Sequence, residues 1–170
     1  MRAKPLAMMA VICLFSVLPR AQADSMTLSA QDYQEIQQLY ARYNVAIDTG
    51  DAEAYAATFT PDGVFNNFQG RDALIGFIKI WRSERLNGAN RRHWNTNLLI
   101  TGDGKAASGS VYLMLLDVST KPVSIAAVAT YTDSLVKTAD GWRFSKRTTH
   151  SDSTAPATAS PSASGSPAPK

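Results

Sequence analysis

From Leu28 to Gly50 the apolar positions recur at helical spacing, with Ile36, Leu39, Tyr40, Tyr43 and Ile47 on one face. Ser29 can cap this helix, with Asp32 three residues on in a variant of the capping box. Gly50 supplies a natural stop. Asp51 then caps a second, short helix over "AEAYAATF". "TPDG" reads as a turn and "VFNNF" as a short strand. "GRDALIGFIKIWRSERL" predicts a third helix with Leu74, Ile75, Ile78 and Trp81 apolar, ended by "NGAN". The period then changes. Residues 93–101, 106–118, 123–137 and 142–150 are β-rich and joined by "GDGK", "STKP" and "TADG". Long neighbouring strands with short links predict an antiparallel meander. Helices first and a sheet afterwards predict an α+β domain, in which long curved strands wrapped against a helix leave a concave face.

The first of these strands departs from simple alternation. It begins "RRHWNTN", with His93, Asn95 and Asn97 ahead of the apolar run Leu98-Leu99-Ile100. A half-buried strand alternates apolar and polar positions. An imidazole and two amides at the mouth of an oily strand therefore ask for a partner or a task.

The chain ends differ in kind from this middle. "MRAKP", the apolar run "LAMMAVICLFSVL" and "AQA" before Asp24 have the three parts of a secretory signal peptide over residues 1–23. The predicted location is periplasmic or secreted, with no membrane anchor once the leader is cleaved. Cys13, the only cysteine, leaves with the leader, so no disulfide can brace the mature protein. Arg2, Lys4 and Arg20 leave too, which takes the 17 basic residues to 14 against 14 acidic ones. A formally neutral protein gives no electrostatic reason to expect nucleic acid as a partner. At the other end, residues 153–170, "STAPATASPSASGSPAPK", hold no large apolar side chain and read as a disordered tail. Residues 25–152 form the folding unit, long enough for one core.

The chemistry open to that unit is narrow. No H-x-x-x-H or C-x-x-C spacing supports a metal, and no G-x-S-x-G elbow or cysteine nucleophile is present. "GDGK" lacks the glycine spacing of a phosphate loop, and nothing suggests a dinucleotide site. Acid–base chemistry remains. His93 is the natural base. Asp48 stands at the end of the first helix, Tyr43 on its apolar face, and Arg147 on the last strand in "FSKRTTH". Each also has an ordinary reading: a structural histidine, a turn aspartate, a core tyrosine and a solvated arginine.

Together these positions carry a resemblance. Ile36 to Tyr43 follow I-x-x-L-x-x-x-Y, and "DAEAYAATFTPDGVF", "GRDAL", "RHWNTNLLI" and "DGWRFSKRT" fall in order after it. Over residues 29–149 this pattern resembles the SnoaL-like branch of the NTF2-like superfamily. The resemblance implies a cone in which N-terminal helices pack in a curved, mostly antiparallel sheet. Within that branch the chain looks most like the dehydratases and dehydrochlorinases that use an Asp–His dyad, among them bile acid 7α-dehydratase, hexachlorocyclohexane dehydrochlorinase and scytalone dehydratase. The matching positions here are Asp48 and His93, with Arg147 and Tyr43 as further catalytic candidates. The penultimate strand, "AAVATYTD", lacks the second histidine of scytalone dehydratase.

What this implies is a secreted lyase that needs no cofactor. His93 would take a carbon-bound proton and Asp48 would hold its tautomer. Tyr43 or Arg147 would stabilise the leaving group or oxyanion. The reaction would be a dehydration, a related β-elimination or a double-bond isomerisation of a hydrophobic small molecule. A non-catalytic small-ligand binding protein and an oligomerisation module are the other readings that the fold allows. The resemblance also implies a homo-oligomer, a dimer or trimer.

Overall fold

The computed structural model describes residues 27–86 and 90–152. The leader and the tail expected from the sequence lie outside the described residues. Three helices precede a meander, as the change of period predicts: α1 (Ala30–Thr49), α2 (Ala52–Ala56), β1 (Phe59–Phe65), β2 (Phe68–Gln69), α3 (Arg71–Leu86), β3 (Arg91–Gly102), β4 (Ala106–Asp117), β5 (Ser124–Thr138) and β6 (Gly141–Ser151). The strands form one six-stranded sheet in the order β2-β1-β6-β5-β4-β3. All neighbours are antiparallel except β1 and β6, which run parallel. Ile36, Leu39, Tyr43 and Ile47 of α1 pack with Val111, Tyr131, Leu135, Trp142 and Phe144 of the sheet and with Leu74 and Ile78 of α3 to form the core. This is the α+β cone.

Helix α1 begins and ends where its caps place it. The Ser29 hydroxyl accepts from the Asp32 backbone N–H, and the Asp32 carboxylate accepts from the Ser29 N–H in return. Gly50 closes the helix at φ 72°, a left-handed conformation that glycine adopts without Cβ strain. Asp32 does more than cap. Its Oδ1 also accepts from Lys137 Nζ at 2.7 Å and from the indole N–H of buried Trp142 at 2.9 Å, tying the helix start to the β5–β6 hairpin. The hydrogen bond from Lys137, then that from Ser29, hold this carboxyl well below the usual carboxylate range, although burial opposes them. A depressed folded-state pKa stabilises the protein above the unfolded value of about 3.9, and that contribution is lost as pH falls. Thermal melts of wild type and Asp32→Asn should therefore differ most near neutral pH and converge below about pH 4. A gap that stays constant down to about pH 2 would exclude the linkage.

Three local expectations need correction. "TPDG" is not a turn after α2 but part of β1. Phe59 pairs with Phe144 and Val64 with Lys146, so β1 advances five residues while β6 advances two. Pro61 lacks the N–H that a ladder needs, and the strand bulges around it. Gly63 lets the bulge close, because a Cβ there would sit 2.8 Å from Phe59 Cβ and 3.1 Å from the Phe144 carbonyl. "VFNNF" is not one strand either. It turns at Asn66, φ 51°, to pair β1 with β2, and asparagine tolerates that left-handed conformation better than most residues. Helix α2 is also shorter than expected, because the Thr58 carbonyl already accepts from Phe144 N–H and draws Phe59 into the sheet.

Candidate active site

Helix α1 and strand β3 meet along two polar rungs. Asn44 and Asp48 lie one turn apart on α1, and His93 and Asn95 lie two residues apart on β3. Four helical residues rise about 6 Å and two strand residues about 6.8 Å, so the two spacings match. Asn95 Nδ2 donates to Asn44 Oδ1 at 3.3 Å. His93 Nδ1 lies 2.7 Å from Asp48 Oδ1, and the His93 backbone N–H donates to both carboxylate oxygens at 3.2 and 3.1 Å. Residues 45 apart in sequence are thus in direct contact, with His93 6% and Asp48 8% exposed.

An aspartate in the last turn of a helix faces the negative end of the macrodipole, a locally unfavourable position. The three donations from His93 offset it. They also set the imidazole. An ionised carboxylate only accepts, so in the neutral imidazole Nδ1 carries the ring proton and Nε2 keeps its lone pair. No hydrogen bond among the described residues engages Nε2. The Trp81 ring of α3 packs against the imidazole with centroids 5.7 Å apart.

Strand β3 achieves this with a bulge. Thr96 pairs with Tyr112 and Leu99 with Ser110, leaving one extra residue, and Asn97 takes φ 56° to absorb it. His93 and Asn95 point inward before the bulge, and Leu98 and Ile100 after it. The uneven polarity of "RRHWNTN" is the mark of this change of phase.

Tyr43 and Arg147 form a second pair. The Arg147 guanidinium lies 4.2 Å from the Tyr43 ring centroid and within 4.7 Å of those of Tyr40, Tyr131 and Phe144. Arg147 Nε and Nη2 donate to Asp133 Oδ1 and Oδ2, both at 2.7 Å. The Tyr40 hydroxyl donates to the same Oδ2 at 2.5 Å. Gly109, opposite Asp133 in the ladder, makes room, since a Cβ there would come within 2.2 Å of the Tyr40 hydroxyl. Burial works against the Arg147 charge, but Asp133 more than compensates and raises its pKa, so the guanidinium stays charged. Burial pushes the Tyr43 and Tyr131 hydroxyls well above the ordinary tyrosine range.

The expectation that all four residues share one open cavity is corrected here. Tyr43 and Arg147 are both 0% exposed. From the dyad to this pair, contact runs through the rings of Trp81, Phe77 and Tyr55, in steps of 5.7, 6.4, 5.8 and 5.0 Å ending at Tyr43. Among the described residues, aromatic side chains occupy the space between the two pairs. An open cleft of about 610 Å³ lies instead against the outer side of α1, beside Arg42, Val45 and Arg143, and holds none of the four. Sequence reasoning flagged Asn95 without giving it a partner and missed Asn44, Asp133 and the role of Tyr40. Asn44 and Asn95 were findable as a pair, as polar residues one helical turn before Asp48 and two strand positions after His93.

The comparisons show the family and the fold. A family model described as a SnoaL-like domain matches residues 29–148. An uncharacterised protein of Mycobacterium tuberculosis is 31% identical over 137 residues, covering 78% of this chain and 92% of that one. A Catenulispora acidiphila protein, solved in complex with S-DNPA, is 31% identical with a TM-score of 0.63 and covers 73% of this chain and 96% of that one. An NTF2-like protein with a cystatin-like fold from Novosphingobium aromaticivorans shares the fold at 24% identity and a TM-score of 0.66, over 75% of this chain and 86% of that one. With most of its length matched by the family model, the chain belongs to the SnoaL-like family, and it shares its fold with an NTF2-like protein.

Proposed function

We propose that this protein is a secreted lyase that needs no cofactor and eliminates water or a related leaving group from a hydrophobic small molecule. The observation that carries this reading is the 2.7 Å contact of His93 Nδ1 with Asp48, which leaves Nε2 as a base. Nε2 takes a proton from carbon, and the C–H electron pair becomes the new C=C bond. The β-hydroxyl leaves, taking the proton back from the imidazolium, so that water departs and the dyad is regenerated. Asp48 stabilises the imidazolium between the two steps. Arg147, paired with Asp133 and stacked on Tyr43, serves the site at one remove, by fixing the aromatic packing behind the dyad. If the proton returns to a different carbon, the same groups catalyse double-bond isomerisation. The test is incubation of the protein with cyclic β-hydroxy ketones and appearance of the conjugated enone, read by its ultraviolet absorbance and abolished in His93→Ala.

Non-catalytic ligand binding is the second reading, favoured by the closed packing around Tyr43 and Arg147 and by the relative that forms a complex with S-DNPA. Binding without turnover, equal in wild type and His93→Ala, selects it.

The partner of the outer sheet is a second copy of the chain. Trp94, Met114 and Val128 form one cross-strand row, and Thr96, Tyr112, Thr130 and His150 the next. Neither row contains Asp, Glu, Lys or Arg, and Trp94 and Tyr112 are 62% and 51% exposed. Asp152 at one edge, where it accepts from Thr130 Oγ1, and exposed Arg92 at the other flank this uncharged centre, which is complementary to itself. Four strands of about eight residues present roughly 500 Å² of flat area. Their side chains bring this towards the roughly 800 Å² per partner of a standard interface. Light scattering should report an oligomer for wild type and a monomer for Trp94→Glu. A monomeric wild type at tens of micromolar overturns the assignment.

A further inference from the structure

Two buried polar atoms beside the dyad have no partner. One is the indole Nε1 of Trp81, and the other is Oδ1 of Asn95. Buried polar groups in folded proteins are nearly always hydrogen-bonded, so two orphans side by side call for an explanation. The neighbouring groups are not short of bonds. Asn95 uses its Nδ2 on Asn44, His93 uses its Nδ1 and backbone N–H on Asp48, and the distant Trp142 indole finds Asp32. The two orphans flank one residue. The Trp81 ring lies 5.7 Å from the His93 ring, and Asn95 follows His93 by two positions on the inward side of β3.

We infer that Trp81 Nε1 and Asn95 Oδ1 are the polar recognition pair of the ligand site. The indole N–H donates to an acceptor oxygen of the ligand, and the amide oxygen accepts from a ligand hydroxyl. The ligand class is a ring that carries a carbonyl and a hydroxyl on either side of a C–H carbon, for which a cyclic β-hydroxy ketone is the simplest probe. The inference rests on the lyase reading only for the role of His93 between the two contacts. In that role the carbonyl held by Trp81 makes the neighbouring C–H acidic, and the hydroxyl held by Asn95 is the group that leaves. Trp81 and Asn95 touch the ligand's oxygens and move no proton, so they decide which ligand binds.

The test uses the full chain labelled with ¹⁵N. The sequence has three tryptophans, at 81, 94 and 142, so three indole N–H resonances are expected. Trp81→Phe assigns one by its disappearance, while the Trp94 and Trp142 resonances report that each variant is folded. Three probes are titrated: 3-hydroxycyclohexanone, 3-methylenecyclohexanol with carbon replacing the carbonyl oxygen, and 3-methylcyclohexanone with methyl replacing the hydroxyl. The hydroxy ketone should move the Trp81 indole proton downfield, and the methylene analogue should not. Each analogue should bind about tenfold more weakly, the scale of one buried hydrogen bond. Trp81→Phe should erase the preference for the carbonyl alone, and Asn95→Leu the preference for the hydroxyl alone. Equal affinity of all three probes for wild type, preferences that persist in the variants, or no movement of the Trp81 resonance overturns the inference. Selective binding of 3-hydroxycyclohexanone without formation of 2-cyclohexenone would instead overturn the lyase reading and leave the recognition pair standing.

Discussion

Asp48→Asn is expected to lower kcat by about 10⁴-fold while leaving the protein folded, a loss of the size seen when the orienting carboxylate of a catalytic histidine becomes an amide. The geometry explains both halves. The oxygen of the substituted amide can still accept from the His93 backbone N–H, so the α1–β3 junction keeps a bond. The amide nitrogen then faces Nδ1 and donates to it. The ring proton moves to Nε2, and the base is lost with almost no change of shape. Asp48→Ala differs in kind, because it leaves the His93 N–H and Nδ1 without an acceptor inside a nearly closed site. It should cost about 1–3 kcal/mol of stability on top of the activity. His93→Ala should remove turnover altogether and leave ligand affinity within a few-fold. The measurement is kcat and KM on a dehydrated substrate beside urea melts of the same variants. Activity of Asp48→Asn within about tenfold of wild type would falsify the dyad as the proton-transfer unit.

The parts of this site that were legible in the sequence are those that break a local rule over a short range. A carboxylate in the last helical turn opposes the dipole, and a histidine interrupts an apolar strand. Both conflicts are visible within a few residues, and each resolves the other in the fold. The helices and the meander were legible from periodicity and caps, which are local too. What was hidden is phase. In β6, Trp142 and Phe144 point inward at even positions. Leu135 pairs with Phe144 but Ser134 with Lys146, so Ser145 is an extra residue and Arg147 turns inward at an odd one. Without that bulge Asp133 would face Lys146 and Arg147 would stand on the outer face, the solvated position that simple alternation gives it. Strand β3 repeats the device at Asn97. In β6 the inserted residue leaves no periodic trace, so the Asp133–Arg147 pair could not be read by counting, whereas in β3 the uneven polarity of "RRHWNTN" marks the insertion without showing which residues turn inward. The aromatic wall between the two pairs was hidden for another reason. Whether a concave sheet encloses a void depends on how Tyr43, Tyr55, Phe77 and Trp81 pack across it, and their spacing along the chain does not encode that.

Removing one half of the Asp133–Arg147 pair should be the most destabilising single change among the site residues. Arg147 is 0% and Asp133 2% exposed, and Asp133 keeps the guanidinium charged against the pull of burial. Asp133→Ala strands that charge among four aromatic rings. The ring faces attract a cation but do not accept its in-plane N–H groups, and Nη1 is already without a partner. Breaking a buried pair in this way costs about 3–5 kcal/mol. That corresponds to a fall of roughly 10–20 °C in Tm for a domain of this size. Tyr40→Phe, which removes the hydroxyl that donates to Asp133 Oδ2, should cost less, about 1–3 kcal/mol. The decisive variant is the double one, Asp133→Leu with Arg147→Met. It replaces two charges by apolar groups of similar size, which in other buried pairs is neutral or stabilising. Calorimetry should show most of the lost stability recovered, and turnover should not return. Recovery of both would make the pair purely structural and remove Arg147 from the chemistry. Recovery of neither would show that Asp133 and Arg147 serve the packing through contacts other than each other. Stability regained with activity still absent is the expected result, because the double variant keeps the volume of the pair but discards the hydrogen bonds that fix Arg147 against Tyr43 and Tyr40 against Asp133, and with them the exact placement of the rings behind the dyad.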